Sequence, residues 1–88
     1  METLEDFTAL LAPGDHAGMR SSNIVGVHFN PSLDNDRYVV GLQVDLRSRT
    51  ICIKHFSSPY VSSCTPLEVF DAMTRAATFI RATGFEVV

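Results

Sequence analysis

Between Arg37 and Phe56 apolar side chains recur at every second position, and this period constrains the fold more than any other feature of the chain. Tyr38, Val40, Leu42, Val44 and Leu46 alternate with Val39, Gly41, Gln43 and Asp45. A period of two sorts side chains onto the two sides of a pleated strand, whereas a helix would spread the same residues around its circumference. The polar link Arg47-Ser48-Arg49 follows, and alternation resumes over Thr50-Ile51-Cys52-Ile53-Lys54-His55-Phe56. Two alternating runs joined by a short polar link predict a β-hairpin.

A third β-rich run, Asn23 to Phe29, ends at Asn30-Pro31-Ser32, and Asp34-Asn35-Asp36 completes a turn signal. Three antiparallel strands are expected from these runs. Val25, Val27, Phe29, Val40, Leu42, Val44, Ile51 and Ile53 then face inward, with His55 on the same side near its edge. The outward set is Gly26, His28, Gly41, Gln43, Asp45, Cys52 and Lys54, joined by Ile24, Val39 and Phe56. A slip of one residue in register would exchange the two sets on that strand.

Helices flank these strands. Thr3 followed by Asp6 resembles a capping box, and Leu4, Phe7 and Leu11 share one face, predicting a short helix over residues 4–12 that Pro13-Gly14 ends. Residues 13–23 read as a loop. Thr65 as N-cap, Pro66 at the first helical position and Glu68 in the first turn open a second helix over residues 66–83. Its expected apolar face is Val69, Phe70, Met73, Ala76, Ala77 and Ile80, with Asp71 and Arg75 four apart on the wet side. Gly84 supplies a left-handed C-cap, Phe85 folds back on the last turn, and Glu86-Val87-Val88 adds a short edge strand or frays. The expected fold is α+β in the order α-β-β-β-α. A three-stranded antiparallel sheet carries the long C-terminal helix on one face, in one domain over residues 1–88.

The α-β-β-β-α order and the length resemble the double-stranded RNA-binding domain. That family contacts phosphate from a lysine-rich start to its second helix. Here that position reads Thr65-Pro66-Leu67-Glu68-Val69, with no lysine and one acid. The resemblance covers the order of elements and implies no nucleic-acid function.

Ten acids against seven bases give a formal charge of −3. Nonspecific nucleic-acid binding draws its affinity from Lys and Arg on phosphate, so this balance argues against it. The acidic start Met1-Glu2-Thr3-Leu4-Glu5-Asp6 differs from a signal peptide, and no apolar run approaches the ~20 residues needed to cross a bilayer. A cytoplasmic protein with Cys52 and Cys64 as reduced thiols is expected.

Chemistry-bearing residues are sparse. His16, His28 and His55 form no local metal motif, and the glycines build no phosphate-cradling loop. No cofactor and no metal are expected. Cys52, His28 and Asp45 supply the parts of a nucleophilic triad if the sheet brings them within hydrogen-bond reach, but a mid-strand cysteine more often serves as a small apolar side chain. Arg37, Arg47, Arg49 and Lys54 gather four of the seven bases on the hairpin, which offers a surface for an acidic partner or RNA.

A sheet with helices on one side leaves its other face available. The leading expectation is a non-catalytic protein-interaction module of adaptor or inhibitor type, binding another protein or a second copy of itself. Its expected contact residues are Val39, Gly41, Cys52, Lys54 and Phe56 on the open face, with Arg47 and Arg49 at the hairpin tip. A small acidic chain of this type also suits a protein encoded by a phage or mobile element. The alternatives are a nucleic-acid module using the hairpin arginines and a thiol enzyme using Cys52 and His28.

Overall fold

Burial of the apolar side of the alternating strands requires something to lie against it, and two helices provide it. The computed structural model describes residues 2–30, 39–56 and 64–88, with residues 55 and 56 described in the backbone alone. The turn expected at Pro31-Ser32 and Asp34-Asn35-Asp36, the position of Arg37 and Tyr38, and the loop over residues 57–63 lie outside the described residues. The elements in chain order are α1 (Leu4–Thr8), β1 (His16–Met19), β2 (Ile24–Phe29), β3 (Val40–Asp45), β4 (Thr50–Phe56), α2 (Pro66–Thr83) and β5 (Glu86–Val87).

The fold is α+β. Among the described residues the sheet is mixed and has five strands in the order β1-β2-β3-β4-β5, the last pair parallel and the others antiparallel. This corrects the three-stranded expectation. The segment His16-Ala17-Gly18-Met19 carries no alternating signal and becomes a strand by pairing with β2, with Ala17 opposite Val27 and Gly18 opposite Gly26. At the other edge, Val88 N–H donates to the Ile51 carbonyl at 2.9 Å, which fixes the C-terminal residues beside β4.

The three central strands bury the expected side. Val25, Val27, Phe29, Val40, Leu42, Val44 and Ile51 are all buried, whereas Ile53, expected with them, is 42% exposed. Register explains it: Val25 stands opposite Val44, Val27 opposite Leu42, and Phe29 opposite Val40. Against this face α2 lays Ala72, Ala76, Phe79 and Thr83. The helix is therefore turned relative to the expected apolar face, and Phe70 and Met73 lie outside the core at 69% and 44% exposure. The two alanines allow the helix backbone close to the sheet, and Phe79 supplies the bulk.

Four phenylalanine rings then chain the layers together. Phe85 meets Phe7 edge-on at 5.8 Å, Phe7 meets Phe79 at 6.2 Å, and Phe79 meets Phe29 edge-on at 5.6 Å. Offset and edge-to-face pairs of this kind add about 0.5–1.5 kcal/mol each beyond the area they bury.

Helix α2 runs as the sequence predicts. The Thr65 hydroxyl accepts from Glu68 N–H at 3.2 Å, and the Glu68 carboxylate accepts from Thr65 N–H at 2.9 Å. Gly84 ends the helix with φ +70°, a left-handed conformation that costs a residue with a Cβ about 1 kcal/mol. Helix α1 is shorter than predicted, because a tightening turn replaces α-helical bonding after Thr8: Leu10 and Leu11 N–H donate to the carbonyls of Phe7 and Thr8.

Arg75 does not lie on the wet side. Its guanidinium donates to the Asp15 carboxylate and to the Asn30 carbonyl, while Asp71 stands 3.4 Å away on the solvent side. The Asp15 side chain is 1% exposed and also accepts from Asn30 N–H at 2.9 Å. Burial works against the Arg75 charge, but the hydrogen bond and charge of Asp15 outweigh it and hold the pKa above the usual arginine value.

Candidate functional site

Both helices pack on the side of Val25, Val27 and Val44, so the opposite face of the sheet carries no described helix. The rows across that face follow from the register. Gly18, Gly26, Gln43 and Cys52 make one row, and His16, His28 and Gly41 the next. The β1–β2 hairpin turns through residues 20–23, where Arg20 N–H donates to the Ile24 carbonyl at 2.8 Å. Continued alternation from Gly18 places the Arg20 side chain over the same face.

The Arg20 guanidinium lies over Gly26, where a Cβ would stand 2.5 Å from its Nε. The guanidinium Nη2 lies 3.4 Å from His28 Nε2, and the His28 and His16 rings meet edge-on at 5.2 Å. From the other side comes Lys54. A bulge between Gly41 and Leu42 makes Lys54 the extra residue of β4, since Leu42 pairs with Ile53 and Gly41 with His55. Bulges re-aim side chains in this way. The result is a trough of about 350 Å³ lined by Arg20, Gly26, His28, Gly41, Leu42, Gln43 and Lys54.

Among the described residues the ion pairs are those of Arg75, and Arg20 and Lys54 have no carboxylate partner. The nearest acid along the strand, Asp45, is engaged elsewhere. Its Oδ1 accepts from Arg47 N–H at 2.9 Å and Ser48 N–H at 3.2 Å. The Ser48 amide chiefly, with help from Arg47, holds that carboxyl below its ordinary value of 3.8.

The sequence-predicted contact residues divide among three environments. Gly41, Cys52 and Lys54 lie on the helix-free face, with Gly41 and Lys54 in the trough and Cys52 beside Gln43. Val39 does not: it is fully buried in the core cluster. It precedes β3, outside the pleat whose alternation would have turned it outward, and its N–H donates to the Phe29 carbonyl at 2.9 Å. Phe56 is displaced in register, since the bulge sets it opposite the core residue Val40 and sets His55 opposite Gly41. The backbone pairing thus shifts by one residue beyond Lys54.

The tip arginines also part company. Arg47 is exposed in the turn. Arg49 takes φ +57° and lays its guanidinium over the Phe85 ring, 4.6 Å from the centroid. This cation–π contact sets the guanidinium against the ring.

Arg20 is the trough-lining residue that the sequence pattern missed, because residues 13–23 carry no strand signal. Its one cue is position: it stands two residues beyond Gly18, on the same side of the pleat.

The parts of a thiol triad share the face but stay apart. Cys52 and His28 are separated by two strand spacings and two residues along the strand, about 12 Å between Cα atoms from ordinary sheet dimensions. Cys52 Sγ instead approaches the Ile53 carbonyl at 3.9 Å. Among the described residues no group of three or more His, Cys, Asp or Glu side chains is placed to hold a metal ion. Among them, too, no helix is long and apolar enough to cross a membrane.

No protein-family model, curated protein or solved structure matches this chain.

Proposed function

We propose that this chain is a non-catalytic protein-binding module of adaptor or inhibitor type, with the helix-free face of the sheet as its contact surface. One observation carries the reading. The face holds a trough of about 350 Å³ in which two cations, Arg20 and Lys54, converge with no described carboxylate to neutralise them. Its volume is at the small end of the range for ligand sites, and its walls are polar side chains on rigid strands. The cysteine, histidine and aspartate are too dispersed to favour nucleophilic chemistry, and the formal charge of −3 weakens the reading as a nucleic-acid module.

The test is a photo-crosslinking side chain at Gln43, half-buried in the trough, against the same group at exposed Ala82 on α2. In extract from the native cell, Gln43 should give a discrete protein adduct that Arg20→Glu abolishes. Equal labelling from both positions, or none from Gln43, counts against the open face.

Self-association is supported by a different surface. Leu67, Phe70 and Met73 of α2 are 80%, 69% and 44% exposed, and Ile53 of β4 is 42% exposed. Exposed apolar residues grouped in this way mark contact surfaces on small domains. A second copy joined along α2 predicts a solution mass of two chains by light scattering, reduced to one by Phe70→Glu. A wild-type mass of one chain at high micromolar concentration removes this part of the reading.

A further inference from the structure

We infer that the trough recognises a carboxylate side chain presented by an extended acidic segment of a partner protein, gripped between Arg20 and Lys54. This rests on the open-face reading and adds the chemistry of the occupant. Charge is the first argument. The chain carries a net −3, yet among the described residues the exposed acids lie elsewhere: Glu2, Glu5 and Asp6 at the start of α1, Asp71 on α2, and Glu86 in β5. Among the described residues Arg20 and Lys54 have no carboxylate partner and share one face.

Placement is the second. Arg20 lies over Gly26 with its Nη2 3.4 Å from His28 Nε2, which places its planar fork at the trough. A carboxylate offers this guanidinium two charged oxygens in the bidentate geometry that its planar fork matches. Gln43 adds an amide beside the same floor.

Size is the third. A volume of about 350 Å³ takes one or two side chains. A helix with its side chains is ~10–12 Å across and would ride above the trough. A nucleic-acid strand bound through its backbone draws on ~6–10 phosphate contacts, and two cations fall short of that.

The experiment is a nuclear magnetic resonance titration of the isotope-labelled full chain with short synthetic peptides rich in Asp and Glu. Matched basic peptides, uncharged peptides and a short single-stranded RNA are titrated in parallel. The acidic peptides should shift the amides of Gly26, His28, Gly41 and Gln43, and raised salt should reverse the shifts. Arg20→Ala and Lys54→Ala should each weaken binding about tenfold or more, the effect of one lost charge-assisted hydrogen bond. Arg81→Ala, exposed on the far helix, should leave it unchanged. Unaltered spectral dispersion in the two variants ties the loss to the site rather than to unfolding.

Shifts of these amides by basic or uncharged peptides, with none from acidic ones, would overturn the carboxylate assignment and leave the open face standing. Shifts confined to α2 would overturn both. Preferential binding of the RNA, or no response to acidic peptides at millimolar concentration, would overturn the inference.

Discussion

Asp15 and Arg75 show how much one pair can decide in a domain of this size. They are 60 residues apart in sequence, and their contact joins the segment before β1 to the middle of α2. The Asp15 carboxylate is buried while the Arg75 side chain keeps 24% exposure, so removing the acid leaves a partly buried cation and an unmatched Asn30 N–H. Asp15→Ala should cost about 3 kcal/mol, the lower end for breaking a buried pair, because Arg75 can still reach water. Adding Arg75→Met to it should recover part of the loss. Urea denaturation of the two variants checks this, and a loss below roughly 0.5 kcal/mol would mean the pair is an ordinary surface contact. Arg49 poses the opposite case, a residue whose contact and backbone oppose each other. Its left-handed φ of +57° costs about 1 kcal/mol, and its stacking on Phe85 returns a similar amount. Arg49→Ala loses the stacking and keeps the strain, whereas Arg49→Gly loses the stacking and sheds the strain. The glycine variant should be the more stable by about 1 kcal/mol in thermal melts. Equal melting temperatures would show that the strain is absent.

At the scale of elements, the β3–β4 hairpin depends on a carboxylate at its turn. Asp45 accepts from the Arg47 and Ser48 amides, and its pKa is lowered from 3.8 by those bonds. A lowered folded-state pKa gives stability that is present above the unfolded value and is lost as pH falls through the folded one. Wild type should therefore exceed Asp45→Asn in urea midpoint at neutral pH, and the gap should close as pH drops below 3.8. A gap independent of pH would assign the difference to geometry rather than charge. Elements with local signals of this kind were legible in the sequence. Thr65, Pro66, Glu68 and Gly84 mark both ends of α2 within a few residues, and the alternation of Val40, Leu42 and Val44 defines the buried face of β3. Three features were not legible because their causes are nonlocal. Strand β1 exists through pairing with β2, the bulge at Lys54 shifts the backbone pairing of the strand beyond it, and the rotation of α2 follows from the fit of Ala72 and Ala76 to the sheet. The candidate site inherits this division. Gly26, His28, Gly41, Gln43, Cys52 and Lys54 could be placed on one face by period alone, but Arg20 could not, and Val39 was misplaced by extending the period past the end of the strand.

For the whole molecule, a sheet covered by helices on one described side must hold its layers together from that side, and Phe85 is where the holding converges. It lies beyond the cap of α2, packs edge-on against Phe7 of α1, and carries the Arg49 guanidinium of the β3–β4 turn on its face. The two ends of the chain and the hairpin tip thus meet at one ring, which is 6% exposed. Truncation should cost more than the ring's own burial. Phe85→Ala is expected to destabilise by about 3–4 kcal/mol, within the range for buried phenylalanine, against a total of roughly 5–10 kcal/mol for a domain of this size. The decisive measurement is a double-mutant cycle with Phe7→Ala. If α1, β5 and the turn form one cooperative unit through this ring, the second truncation removes contacts that the first has already loosened, and the double variant loses about 1 kcal/mol less than the sum. Hydrogen exchange should then show Val88 N–H and the α1 amides losing protection together in Phe85→Ala, with β2 and β3 still protected. Strict additivity, or loss of β5 with α1 intact, would mean that the ends fold independently. The helix-free face would then owe its rigidity to the three central strands alone.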